Sequence, residues 1–187
     1  SRWVEDAGAT VGATVVEAMR EEAMKTAFCI ATDATGLAVQ PEPRADKKRQ
    51  PCRRGHYFVM VVDLMAVFFE FTERETSAVV GRMFHGFQGY VQADAKSVYD
   101  VLFVPPDERP PPDDGAEPDD AVRAEVGCWS HARRKFWEAA MAKDLVAREA
   151  LVRIGRVFDL ERDCKGKPPA EIKARRMAHT RPHLVAF

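Results

Sequence analysis

The chain has 187 residues and a mass of 21.0 kDa, with 46% hydrophobic and 30% charged residues, the balance of a globular protein with a core of its own. Its 28 basic and 29 acidic side chains give a formal net charge of −1, which excludes a uniformly basic nucleic-acid coat but leaves room for a local basic patch. No apolar run approaches the roughly 18 residues of a membrane span, no apolar stretch follows a basic start as in a signal peptide, and Cys29, Cys52, Cys128 and Cys164 form no CxxC pair, so reduced intracellular thiols are expected and a zinc site is not.

Residues 3–26 read as a helix, because Val4, Ala7, Val11, Val15, Ala18 and Met19 recur at helical spacing. Ala27–Val39 is rich in strand formers, and Asp33 is its one charge. Residues 40–55 carry three prolines and the basic run Arg44, Lys47, Lys48, Arg49, Arg53 and Arg54, so they read as a basic loop. Two short runs rich in Val and Phe, 56–62 and 66–72, flank Asp63 as a β-hairpin. Thr76 or Ser77 then caps a short helix ending near Phe84. Tyr90–Asp94 is a short strand that ends on an acid, and 95–103 reads as a helix. Residues 104–120 hold six prolines and seven acids, so they are expected to be a solvated, disordered loop. Val122–Trp129 is a last strand, after which Ser130 caps a helix to about Leu145. A second helix follows over 147–164, and a basic one begins at Ala170 beyond Pro168 and Pro169.

Three antiparallel strands followed by alternating helix and strand predict an α/β fold: a mixed five-stranded sheet flanked by helices, in ribonuclease-H-like order. The expected organisation is an N-terminal helix over 1–26, a core over 27–145 with its acidic loop at 104–121, and a helical extension over 146–187. The chain starts without Met and stops within a helical pattern, which reads as a fragment of a longer protein.

Three features suggest chemistry. Asp33 is a lone carboxylate in an apolar strand, where burial without a partner costs several kcal/mol; exposure, or contact with Thr32 or Thr35, is the plain alternative. Asp94 ends a strand just before a predicted helix, a position where open α/β sheets bind ligands and also where Asp serves as a helix N-cap. In the expected sheet these two strands are neighbours. Paired carboxylates of that kind hold Mg²⁺ through oxygen, and two such ions serve phosphodiester chemistry. The third feature is the run Cys128–Trp137, with His131, Arg133, Arg134 and Lys135 at the start of a helix. It reads either as a phosphate-binding surface or as a solvated basic face.

Three segments resemble the insertion-sequence-66 family of transposases. IATDATGLAVQ resembles the segment that holds the family's first catalytic Asp, and GFQGYVQADAKSVYDVLF resembles the GY-(L/I/V)-Q-(A/T)-D motif of the second. VGCWSHARRKFWEA resembles its Cys-Trp-(Ala/Ser)-His-Ala-Arg-Arg-x-Phe signature. The resemblance implies an Asp-Asp-Glu catalytic core of ribonuclease-H-like fold that cuts and joins DNA at transposon ends with Mg²⁺ or Mn²⁺. Asp33 and Asp94 would be metal ligands and catalytic residues. His131, Arg133, Arg134, Lys135, Lys47, Lys48 and Arg49 would contact DNA. A bacterial cytoplasmic, nucleoid-associated setting and a homo-oligomeric synaptic complex are implied with it. The family's third acid is expected in a later helix near an Asn-Asn-x-x-Glu-Arg stretch, and no such stretch occurs here; Glu138, on the helix after the last strand but outside that motif, and then Glu161 are the acids weighed in its place. The alternative reading is therefore a non-catalytic DNA-binding remnant.

Overall fold

Alternation decides the sheet. In β1 (Cys29–Val39), Ile30 and Thr32 are buried while their neighbours Ala31 and Asp33 are not fully covered, the period-two pattern of a strand with one core face. β2 (Arg53–Val62) and β3 (Ala66–Thr72) repeat it with Phe58, Met60, Val62 and Phe68. β4 (Gly89–Ala93) adds Val91 and Ala93, and β5 (Arg123–Gly127) completes the sheet in the order β3-β2-β1-β4-β5. β1 pairs antiparallel with β2, and β2 with β3; β4 runs parallel to both β1 and β5. The mixed five-stranded sheet expected from the order of elements is thus present.

The computed structural model describes residues 2–41, 50–63, 65–109 and 117–187. The chain divides into two units, Ser1–Gly127 and Cys128–Phe187. In the first unit the core lies on one face of the sheet, where Ile30, Phe58, Met60 and Val91 meet Val80, Met83, Phe84 and Phe87 from α3 (Ser77–Met83) and its exit. Thr76 caps α3 by accepting from the Val79 N–H at 3.3 Å. The N-terminal helical stretch comprises α1 (Arg2–Ala7), a π turn (Gly8–Gly12) and α2 (Ala13–Thr26). Only its last turns pack on the core, through Ala23 and Met24, while Val4, Val11, Val15 and Met19 are exposed. Arg20 ties this helix down, reaching Glu70 of β3 at 2.5 Å and the Met83 carbonyl at 3.1 Å.

Two expectations change in this unit. Residues 95–103 form no α-helix: Ser97–Leu102 is a 3₁₀ turn. Its buried residues, Tyr99 and Leu102, are three apart, which matches the 3₁₀ period of three. The ends of the acidic loop are also held. Arg109 donates to the carbonyls of Val104 (2.9 Å), Ala121 (2.8 Å) and Asp119. Asp119 in turn accepts from the Gly86 N–H at 3.2 Å and pairs with Arg123 at 2.5 Å. Arg123 is buried and also donates to the Phe84 carbonyl at 2.6 Å. Residues 110–116 lie outside the described residues.

The second unit is helical: α4 (Trp129–Met141), α5 (Leu145–Arg162), α6 (Pro169–Arg175), a π turn (Arg176–Thr180) and α7 (Arg181–Val185). Ala147, Ala150, Ile154 and Val157 of α5 are buried, at the i, i+3, i+4 spacing of a helix face. Lys143, at φ 71°, breaks the chain between α4 and α5, and Asp144 caps α5 by accepting from the Val146 and Ala147 N–H groups at 2.8 and 3.1 Å. The expected Ser130 cap is not used: Cys128 is the N-cap of α4 and Ser130 lies inside its first turn.

Candidate metal centre and basic helix

β1 is the central strand, bonded to β2 along most of its length but to β4 only through Cys29–Ala31. The last parallel pair is Ala31 with Gln92. Two positions further along stand Asp33, within β1, and Asp94, the residue after β4, so the register carries these acids side by side. One carboxylate oxygen of each lies within 4.8 Å of the other. Both residues are half-buried. Asp33 accepts from the Ala34 N–H at 2.8 Å.

The chain turns sharply just after Asp94, because Ala95 adopts φ 59°. That left-handed conformation costs a non-glycine residue roughly 1–2 kcal/mol. It brings Lys96 back over the acid: the Lys96 N–H donates to Asp94 Oδ1 at 3.3 Å and Nζ lies 3.6 Å from Oδ2. Asp94 is therefore not the helix cap that its position also suggested; the residue before the 3₁₀ turn is Lys96, and no side chain caps it. Replacing Ala95 with glycine is expected to raise stability by about 1 kcal/mol. A urea unfolding midpoint moved upward at constant m-value is the measurement.

Sequence reasoning missed a third acid at this end of the sheet. Glu75 Oε1 accepts from Lys96 Nζ at 3.1 Å, while Oε2 lies 3.4 Å from His56 Nδ1. Asp94, Glu75 and His56 are mostly enclosed, with side-chain exposures of 12%, 17% and 12%, against 45% for Lys96. Burial alone pushes the Lys96 ammonium down. The hydrogen bond from Glu75 and the charges of Glu75, Asp94 and Asp33 outweigh it and hold the group above the ordinary lysine range. Tyr99, at 1% exposure, is pushed well above the usual tyrosine range by burial, and the charges of Asp94, Glu75 and Asp33 add to that shift. Only the Asp-x-Lys spacing hints at this arrangement, and it is common in turns of any kind.

The donor set fits a hard divalent cation. Two carboxylates supply oxygen, and the partial exposure of both leaves room for water in the remaining positions, the usual coordination of Mg²⁺.

The basic candidates lie in the second unit, on the first turns of α4. Arg134 Nε is 3.2 Å from Glu138, and Lys135 Nζ is 3.8 Å from it; their side chains are 75% and 82% exposed, so both charges remain in water. Arg133 lines a shallow groove with Ser130, Phe158, Asp159 and Arg162. His131 is half-buried in the same turn. Burial pushes the Cys128 thiol up. The His131 N–H, its imidazole and the Ser130 N–H outweigh that and hold the thiol below the ordinary cysteine value. Glu138 is occupied by Arg134 and Lys135, and Glu161 by Arg176 at 2.5 Å. Lys47, Lys48 and Arg49 lie outside the described residues. No helix among the described residues is long and apolar enough to cross a membrane.

The family model described as Transposase IS66 family matches residues 1–187, the whole chain. No curated protein matches it.

Proposed function

Because the chain belongs to the IS66 transposase family, we propose that it carries a metal-dependent DNA strand-cleavage and strand-transfer core of ribonuclease-H-like type. Asp33 and Asp94 are its first two metal ligands. The observation that carries this reading is that Asp33 on β1 and Asp94 just past the end of the parallel β4 have carboxylate oxygens within 4.8 Å. When bound there, Mg²⁺ or Mn²⁺ would supply activation of an attacking hydroxyl and stabilisation of the leaving oxygen. The protein's own part is to hold the two carboxylates at fixed separation and to orient Asp94 through the Lys96 N–H and ammonium. Arg133, Arg134, Lys135 and His131 are the proposed contacts to the DNA backbone, and Lys47, Lys48 and Arg49 are proposed for the same role. The exposed cations of α4 suit phosphate contact, which is largely electrostatic and salt-dependent. Transposon ends and target DNA are the proposed partners, in a homo-oligomeric synaptic complex in the bacterial cytoplasm.

A second reading is a DNA-binding remnant without chemistry. It is favoured by the engagement of Glu138 and Glu161 in ion pairs with Arg134 and Arg176, since neither carboxylate stands ready as a third ligand.

Calorimetric titration of Mn²⁺ into the full chain and into the Asp33→Asn, Asp94→Asn double variant tests the site, with cleavage of a transposon-end duplex as the second readout. Binding that disappears in the double variant, together with Mn²⁺-dependent cleavage, is the expected result. Binding with no cleavage selects the remnant. Equal binding in both proteins removes Asp33 and Asp94 from any metal site.

A further inference from the structure

We propose that Lys96 is the resident counter-ion of the acid pair and that Glu75 is the position to which its ammonium withdraws when a divalent cation enters. This inference rests on the reading of Asp33 and Asp94 as a cation site and goes beyond it by assigning roles to two residues outside that pair.

The argument is one of charge and reach. Two carboxylates within 4.8 Å, both half-buried, repel each other unless a positive charge stands near. The ammonium of Lys96 supplies it, 3.6 Å from Asp94 and 3.1 Å from Glu75. A divalent cation at Asp94 and an ammonium in contact with the same carboxylate repel each other in turn, so the two compete. Lysine suits such an exchange: its head is a point charge on a flexible four-carbon stem, and the Lys96 side chain is 45% exposed. Glu75 is also enclosed, at 17% side-chain exposure, and its other oxygen lies 3.4 Å from His56 Nδ1. It offers the ammonium a fixed alternative to Asp94. The left-handed turn at Ala95 brings Lys96 back onto Asp94, which an extended chain at that point would not do.

The roles of Lys96 and Glu75 then have opposite signs. Removing the ammonium takes away a competitor, and removing the Glu75 charge frees the ammonium to sit on Asp94. Residues that merely supported the local fold would shift metal affinity in the same direction when replaced.

The test is Mn²⁺ binding by the full chain, followed by calorimetry and by loss of the free-ion electron-paramagnetic signal. It compares the wild type with Lys96→Gln, Glu75→Gln and Lys96→Arg, each checked for a cooperative thermal transition. The expected result is about tenfold tighter binding by Lys96→Gln, several-fold weaker binding by Glu75→Gln, and near wild-type binding by Lys96→Arg. If Asp33- and Asp94-dependent binding is present in the wild type but Lys96→Gln and Glu75→Gln shift it the same way, or not at all, the inference is overturned while the metal site stands. Binding by none of the four proteins overturns the metal site and the exchange together. Should Lys96→Gln lose its cooperative transition, Lys96→Met against Lys96→Arg repeats the comparison with the same two outcomes.

Discussion

Asp119→Ala is expected to destabilise the first unit by about 3–5 kcal/mol, the usual consequence of leaving a buried charge without its partner. The Arg123 side chain is 1% exposed and lies 2.5 Å from the Asp119 carboxylate. Its further donations, to the Phe84 and Ala121 carbonyls, neutralise no charge. Loss of Asp119 also releases the Gly86 and Ala121 N–H groups, which it accepts at 3.2 and 3.3 Å. Replacing both ends of the pair, Asp119→Ala with Arg123→Met, should cost less than the single change, because the stranded charge goes with it. Urea unfolding of the three proteins near neutral pH gives the comparison, and a double variant less stable than Asp119→Ala would refute the account.

The same pair has a pH signature. Burial pushes the Asp119 carboxyl up, but the Arg123 hydrogen bond and charge and the two N–H donors outweigh it and hold the group below the ordinary carboxylate value. A carboxyl depressed in the folded state stabilises fully above its unfolded pKa, near 3.9, and loses that contribution as pH falls toward its folded value. Acid unfolding of the wild type should therefore steepen below about pH 4, and Asp119→Asn should lack that component.

Gly89→Ala is the second large effect, and it links the fold to the acid pair. A Cβ at Gly89 would lie 2.7 Å from the Phe28 carbonyl oxygen and 2.9 Å from the ring of Phe87, which is fully buried. That oxygen accepts the Tyr90 N–H at 3.0 Å beside the first pair of the β1–β4 ladder. Neither obstacle yields easily, so β4 must move, at a cost of about 2–3 kcal/mol. Asp94 sits five residues along the same strand direction, and its separation from Asp33 depends on that register. A tenfold or greater loss of Mn²⁺ affinity is expected alongside the lower unfolding midpoint. Unchanged affinity in a destabilised variant would show that the register at Gly89 does not set the acid pair.

Asp33 and Asp94 were legible in the sequence because a charge inside an apolar strand stands out, and because strand order places neighbours beside one another. The hairpin around Asp63 and the parallel return of β4 followed from the same alternation of apolar residues. Glu75 and Lys96 were not legible. Their link to Asp94 runs through a left-handed alanine and a contact 21 residues distant in sequence, neither of which leaves a periodic trace. Asp119 was hidden differently: it lies in a stretch whose prolines and acids dominate any composition window, although it meets a buried arginine. The 3₁₀ turn over Ser97–Leu102 was read as an α-helix because spacings of three and of three to four residues are indistinguishable over so short a run. The α4 cap position falls on Cys128 rather than Ser130, and no side chain there caps the helix.

The clasp made by Arg109 has a consequence for how this protein can vary. By gripping Val104 on one side and Asp119 and Ala121 on the other, it makes the chain leave and re-enter the β4–β5 crossover at one closed gate. The cost of joining two fixed ends rises only slowly with the length of chain between them, so an insertion between Arg109 and Glu117 is expected to leave those ends, and the parallel strands beyond them, in alignment. A fluorophore, an affinity peptide or a small guest domain lodged between those held ends should therefore leave Asp33 and Asp94 at their spacing.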